Sequence, residues 1–312
     1  MRFIAGLHKL PKQPKPCVLT IGNFDGMHRG HQLIMERLSQ YAKEHKLIST
    51  VMVFEPQPRE YFKPSEITPR LSLLRDKLIF LQKQHIDQVL CLAFNKKLAA
   101  LSAEQFIEEI LVKALNCKHL VIGDDFAFGS DRRGNFSLLE KYGRQYGFSV
   151  EHTPTILYQG ERISSSRVRE AISQGDFKLA VALLGRPYSI SGYVQHGDKR
   201  GRLLGFPTLN LRLIKPMAVQ GVYLVQAKGI GNEVRFGVAN VGRRPTVDGK
   251  VQLLEVYLLD FSGDCYGKLI EVEFLDLIRL EQKFSSIEAL KQQIAIDVQI
   301  AKQLINTKYL SI

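Results

Sequence analysis

From Pro16 to about Leu184, short β-branched and aliphatic runs alternate with stretches in which apolar residues recur every three or four positions. A strand covered on both faces reads as a continuous apolar run, and a covering helix shows an apolar stripe, so the pattern predicts a parallel sheet flanked by helices. Strands are predicted at Val18 to Gly22, Ile48 to Phe54, Gln88 to Leu92, His119 to Gly123 and Ser149 to His152. Helical spacing joins Ile34, Leu38, Tyr41 and Ala42, then Leu71, Leu74, Leu78 and Leu81, then Phe106, Ile110 and Ala114.

The texture changes at Gly185-Arg186-Pro187, where a turn follows the helical run ending in Leu183 and Leu184. Two domains are therefore expected, residues 1–184 and 185–312. Beyond the turn, strand-like runs predominate at Tyr188 to Val194, Val222 to Lys228, Val234 to Val241, Leu253 to Leu259 and Ile270 to Leu277. Many strands at short spacing predict a small β-barrel or sandwich. A last helix is expected from Ser286 to about Asn306, capped by Ser285 or Ser286, with Ile287, Leu290, Ile294, Val298, Ala301 and Leu304 on one face. The fold class is α/β plus β.

Composition narrows the partners. The 43 Lys and Arg against 31 Asp and Glu give a formal charge of +12, which favours anionic ligands. No run of five or six like charges and no RNA-binding aromatic motif accompanies it, so polyphosphate substrates explain the charge more simply than nucleic acid. Cys17, Cys91, Cys117 and Cys265 have neither C-x-x-C nor metal-finger spacing and read as reduced, buried thiols. Residues 1–10 lack the apolar core of a signal peptide, and no segment approaches the roughly 18 apolar residues of a membrane span, so a cytoplasmic location is expected. The oligomeric state is open.

The sharpest chemical signal is Gly22-Asn23-Phe24-Asp25-Gly26-Met27-His28-Arg29-Gly30-His31, between the first strand and the first helix. Ligands of open α/β sheets bind at the carboxyl ends of strands, where a helix N-terminus offers free N–H groups to anions. Gly22, Gly26 and Gly30 permit close backbone approach, and His28 and His31, three apart, can face one phosphate. Imidazole donors there would stabilise charge developing on a transferring α-phosphate. Two structural or metal-binding histidines are the alternative. A second anion cradle is expected in Ser164, Ser165, Ser166 and Arg169, preceding a short helix from Arg169 to Ser173.

These motifs resemble the bacterial bifunctional riboflavin kinase/FAD synthetases over nearly the whole chain. His28 to His31 match that family's H-x-G-H motif, and Ile163 to Arg169 match its I-S-S-T-x-I-R motif, with Ser166 for Thr and Val168 for Ile. Phe54-Glu55-Pro56 with Pro58, Leu101 to Glu104, and Gly123 to Phe126 with Phe128-Gly129 also match, whereas Gln57 and Ala127 replace the family's His and Arg. The resemblance implies a nucleotidyltransferase domain in which Gly22, Asn23, Phe24, Gly30, Ser164, Ser165 and Ser166 hold nucleotide. In it Phe54, Pro56, Pro58, Asp125 and Phe128 hold flavin, with His28, His31 and Arg169 catalytic.

In the second half, Gly192-Tyr193-Val194, His196-Gly197, Gly201-Arg202 and Gly205-Phe206-Pro207-Thr208-Leu209-Asn210 resemble the family's flavokinase, Pro207 to Asn210 standing for its P-T-A-N motif. Thr208 and Asn210 alternate along an extended segment and so present two oxygens to one face, suited to Mg2+ carried by ATP. Gly192, Gly197 and Gly205 are implied nucleotide contacts, and Glu255 is the implied base for a riboflavin hydroxyl. Gly242-Arg243-Arg244-Pro245-Thr246 resembles a family segment expected to form a loop near flavin or nucleotide. The implied function is phosphorylation of riboflavin by MgATP to FMN, then transfer of AMP from ATP to FMN, giving FAD and pyrophosphate. The alternatives are a nucleotidyltransferase for another substrate with a binding-only barrel, a basic nucleic-acid-binding protein, and, more weakly, an aminoacyl-tRNA synthetase lacking its Lys-rich loop.

Overall fold

The inner strands of the first half, from Cys17 to Ile21, Ile48 to Phe54, Gln88 to Leu92 and Cys117 to Gly123, carry apolar side chains on both faces, so each must be covered twice. In the computed structural model, which describes residues 1–66, 68–130, 132–197, 200–231, 233–246 and 249–310 (without the side chains of 200, 203, 243–246 and 249–251), that requirement is met by one sheet between helical layers. Strands β1 (Arg2–Ala5), β2 (Cys17–Ile21), β3 (Ile48–Phe54), β4 (Gln88–Leu92), β5 (Cys117–Gly123) and β6 (Ser149–Thr153) pair in parallel in the order β1-β4-β3-β2-β5-β6. Helix α1 (Arg29–His45) lays Ile34, Met35, Leu38 and Ala42 on the layer formed by Val18, Val51, Val53, Val89 and Val121. The intervening residues Leu19, Met52, Leu90, Leu120 and Ile122 join the opposite layer.

Around the sheet run α2 (Pro58–Phe62), α3 (Leu74–Lys83), α4 (Lys96–Ala99) and α5 (Ala103–Gln105), the last continuing into a π-wound turn at Phe106–Ala114. Helix α6 (Phe136–Tyr146) and the hairpin β7 (Leu157–Tyr158) and β8 (Glu161–Arg162) follow. The strand at β1 and the helix α6 were not expected from the sequence. Leu71 is corrected: it lies ahead of α3, in a bend that follows the isolated bridge of Arg70 to Met217.

The chain divides into two compact units, residues 1–68 with 74–164, and residues 69–73 with 165–312. This division falls ahead of the turn at 184/185, because α7 (Ser165–Ser173) and α8 (Phe177–Leu184) pack in the second unit, with Phe177 against Tyr223 and Phe274. There β9 (Tyr188–Tyr193), the short α9 (Arg200–Leu203), β10 (Leu209–Leu213), β11 (Gly221–Ile230), β12 (Glu233–Thr246), β13 (Gly249–Leu258) and β14 (Leu269–Arg279) follow. The strands pair antiparallel in the order β10-β13-β12-β11-β14-β9. A bridge between Gln195 and Asn210 brings the two edges together, so the sheet is a nearly closed barrel. The segment Gly242 to Thr246, expected as a loop, is instead the end of β12, paired residue for residue with the start of β13; the side chains of 243–246 lie outside the described residues.

Helix α10 (Ile287–Leu304) closes the unit, capped by Ser286, whose hydroxyl accepts from Ala289 N at 3.1 Å. It is tied to the barrel by Arg279, whose Nε lies 2.9 and 3.1 Å from the two carboxylate oxygens of Asp297. Asp297 is 2% exposed, and Gln293 Nε2 donates to it from one turn earlier at 2.9 Å. Removing one partner of a buried pair leaves the other charge uncompensated. Arg279→Ala should destabilise the second unit by about 3–5 kcal/mol, measured as a fall in its urea midpoint, whereas Lys63→Ala, which breaks an exposed pair with Glu66, should cost about 0–1 kcal/mol.

Candidate active sites

Covering β2 with α1 fixes the first site, because it holds the N-terminus of α1 at the carboxyl end of β2. The connecting loop turns through left-handed conformations at Phe24 (φ 45°), Gly26 (φ 81°) and Met27 (φ 48°). His28 is the N-cap, its Nδ1 accepting from His31 N at 3.4 Å, and Gln32 Nε2 ties the loop by donating to Met27 O at 2.8 Å. The two imidazoles stack with centroids 3.6 Å apart, and the edge of Phe24 meets His31 at 5.2 Å. Gly30 makes the stack possible, since a Cβ there would stand 3.2 Å from the His28 ring.

Burial holds the His31 imidazole well below the usual 6.5, and His28, Lys77 and Arg162 push in the same direction. Its Nδ1 is buried without a hydrogen-bond partner. A neutral imidazole in a cationic surrounding is a receptor for a phosphate, which would supply the missing acceptor. Lys77, only 2% exposed on α3, was not singled out in the sequence; a lysine inside an apolar helical stripe was the available signal.

Beside this loop lies a cavity of about 710 Å3 at the carboxyl ends of β2, β3 and β5. Asn23, Phe54, Pro58 and Phe128 line it, as does Ala127, joined by Phe62, Phe94 and the cationic Arg59 and Lys63. Phe62 is 60% exposed and meets Phe94 at 5.5 Å; an aromatic residue next to the Pro58 turn was the sequence signal. Pro56 and Asp125 stand outside the lining residues, and the Asp125 carboxylate is taken by Arg162 at 3.0 Å. Gln57 caps α2, its backbone N–H donating to Glu60 at 3.2 Å, while its buried Nε2 has no partner.

The Ser/Arg element is corrected in its local structure. Ser165 and Ser166 form the first turn of α7, which starts at Ser165 and not at Arg169, while Ser164 belongs to the first unit. Arg169, within the helix, donates from Nε to Pro69 O at 2.8 Å.

In the barrel, β10, β13 and β12 align Asn210, Glu255 and Asn240 in one register, so the three polar side chains share a face. Glu255, Asn240 and Thr208 line a cavity of about 330 Å3 together with Phe206, Tyr257, Arg279 and Asp297. Asn240 was missed; a polar residue within the otherwise apolar run Phe236 to Val241 was the available signal. Asn210 Nδ2 donates to Thr208 O at 3.2 Å, which leaves its Oδ1 available. A Cβ at Gly197 would come 2.6 Å from that Oδ1, so the glycine keeps a cradle open beside it. Two neutral oxygens next to a carboxylate form a hard donor set that fits Mg2+ brought in by ATP. Gly192 lies within β9, and Gly197 and Gly205 flank α9; of the glycines in this region, Gly201 lines the cavity.

Comparison with known proteins shows the family of each half. A family model described as FAD synthetase matches residues 10–167, and one described as riboflavin kinase matches residues 184–305. The chain is 47% identical over 305 residues to a bifunctional riboflavin kinase/FMN adenylyltransferase of Escherichia coli (strain K12), covering 97% of each. It is 48% identical over 307 residues to the protein of that name from Pseudomonas fluorescens, covering 97% of this chain and 98% of that one. A crystal structure described as a macrolide-efflux protein from Streptococcus pneumoniae is 31% identical with a TM-score of 0.76, over 97% of this chain and 99% of that one. Among the described residues, no helix is long and apolar enough to cross a membrane.

The buried neutral state of His31 generates a pH prediction. Its folded pKa lies below the unfolded value, so the unfolded chain binds more protons on acidification. The associated stability is present above about pH 6.5 and is lost as pH falls from there towards the folded value. Thermal melts between pH 7 and pH 5 should show a steeper loss for the native protein than for His31→Gln.

Proposed function

We propose the residue roles that follow for this chain, which belongs to the bifunctional riboflavin kinase/FMN adenylyltransferase family and converts riboflavin to FMN and FMN to FAD with ATP as the other substrate. The functional division is taken as residues 1–184 for adenylyl transfer and 185–312 for phosphorylation, supported by the extents of the two family matches. A binding-only barrel is unnecessary, given the riboflavin kinase match. A cytoplasmic location and dependence on Mg2+ belong to the same proposal.

In the first site FMN occupies the aromatic cavity between Phe54 and Phe128, with Asn23 at its edge. Its phosphate, already an anion, attacks the α-phosphate of ATP, and pyrophosphate leaves. His28 and His31 donate to the oxygens on which charge develops, while Gly22, Phe24 and Gly30 keep the loop close to the nucleotide. Ser164, Ser165, Ser166 and Arg169 are assigned to the departing phosphates. The observation that carries this half is the buried, unpartnered Nδ1 of His31 against its stacked neighbour.

In the second site Glu255 accepts the proton of the riboflavin 5′-hydroxyl as its oxygen attacks the γ-phosphate, giving FMN and ADP. Its location in the cavity and its register with Asn210 and Asn240 support this role. Thr208 and Asn210 would hold Mg2+, which when bound offsets charge on the ATP phosphates. Asn240 orients the reacting groups from the neighbouring strand.

Two substitutions separate the sites. His31→Ala should leave FMN formation within about twofold of normal and lower FAD formation by about 10²–10³. Glu255→Gln should lower FMN formation by about 10²–10⁴ while added FMN is still adenylylated. Chromatographic separation of riboflavin, FMN and FAD reads both, and loss of both activities in either variant would contradict two independent sites.

A further inference from the structure

The loop Gly123 to Ser130 carries Phe126, Ala127 and Phe128 into the wall of the aromatic cavity, and its position is set by residues that do not line that cavity. Strand β6 ends in Glu151-His152-Thr153, and neighbouring side chains on a strand point to opposite faces. Glu151 accordingly reaches His119, with Oε2 3.3 Å from Nε2, while His152 turns to the loop, with Nε2 2.6 Å from Asp124 Oδ1. The hydroxyl of Thr155 donates to the other oxygen, Asp124 Oδ2. Phe136, the first residue of α6, meets the His152 ring edge-on at 5.6 Å and limits its rotation. The next carboxylate, Asp125, is held by Arg162, and Phe126 N closes the turn on Gly123 O at 3.2 Å. Phe126 then stacks on Phe128 with centroids 5.4 Å apart.

Adjacent carboxylates repel each other, and both would repel a flavin phosphate, unless each is offset by its own partner. The chain provides two such partners from two different elements, β6 and β8. We propose that His152 and Asp124, with Thr155, form a latch that fixes the aromatic loop for FMN, making His152 a positioning residue for flavin affinity in adenylyl transfer. The inference rests on the reading that FMN occupies this cavity. Among the described residues the ion-pair partner of His152 in the loop is Asp124, so its removal loosens the aromatic wall without disturbing His28 and His31. The consequence is a change in FMN binding with little change in turnover once FMN is bound.

The test uses the full-length protein, with FMN varied at saturating MgATP and riboflavin phosphorylation measured on the same preparation. His152→Leu should raise the KM for FMN about tenfold, with kcat within about threefold. His152→Gln, which can still donate to Asp124, should return KM to within about threefold of normal, and riboflavin phosphorylation should be unchanged in both. Adding Asp124→Ala to His152→Leu should raise KM little further, since the two act as one unit. Phe128→Ala tests the underlying reading. If it leaves the KM for FMN unchanged, the cavity assignment fails and the latch with it. If it raises that KM while His152→Leu does not, or if the Leu and Gln variants are equally impaired, the latch alone is overturned.

Discussion

The burial of a parallel sheet on both faces is the constraint from which the first site follows. Strand β2 sends Val18 to one layer and Leu19 to the other, and neither can be exposed without losing about 1.5–3 kcal/mol of apolar burial each. Helix α1 covers the Val18 layer with four buried residues, and its axis and end are thereby set. The loop from β2 must deliver the chain to that end in seven residues, which it does through three left-handed conformations. His28 therefore arrives as the N-cap, and His31 comes to lie beneath it, one turn inside a helix whose first N–H groups point outward to an anion. The apolar packing is what makes it possible to keep His31 buried and neutral, with its Nδ1 short of a hydrogen-bond partner.

Closure of the antiparallel sheet plays the corresponding part in the second unit. Bringing the edges β9 and β10 together through Gln195 and Asn210 places Asn210 beside the junction instead of on an open edge. From there the register runs across β13 and β12, so a carboxylate lies between two amides in the middle of the sheet. The tie between Arg279 and Asp297 holds α10 along the same cavity. The cost of burying Asp297 is offset by a bidentate partner and by Gln293, a geometry that favours a single position for the helix over a set of sliding ones.

Legibility in the sequence tracked the length and burial of each element. Strands β3 and β4 were readable to the residue because Thr50 to Phe54 and Val89 to Leu92 are unbroken apolar or β-branched runs, and α10 was readable from its stripe and its serine cap. Strand β1 has four residues, exposes three of them and depends on register with β4, so local pattern could not reveal it. Leu71 fits the period of α3 by spacing alone, but the pairing of Arg70 with Met217 and a bend at Leu71 keep the backbone out of the helix there. The segment Gly242 to Thr246 contains Gly and Pro, which signal turns, yet it continues β12 at the end of a hairpin. His28 and His31 were legible because they stand in a Gly-rich turn between a strand and a helix, whereas Glu255 was reached through the family resemblance. His152, Asp124, Lys77 and Asn240 were not, because their importance lies in what they meet across the fold.

The contrast between the two sites has a chemical basis. FMN enters adenylyl transfer with a phosphate that is already an anion, so no group is needed to remove a proton from the nucleophile. That site can therefore be cationic, as the Lys77 ammonium and the Arg162 guanidinium acting on His31 are. Riboflavin enters phosphoryl transfer as an alcohol and must lose a proton as it reacts, so its site needs a carboxylate close to the triphosphate. A carboxylate and a triphosphate repel, and in the proposed roles the neutral oxygens of Thr208, Asn210 and Asn240 beside Glu255 ease that conflict. Asp297, which also lines the cavity, is offset by Arg279. The difference in residue type between the two cavities is thus the difference between a nucleophile that arrives charged and one that must be deprotonated.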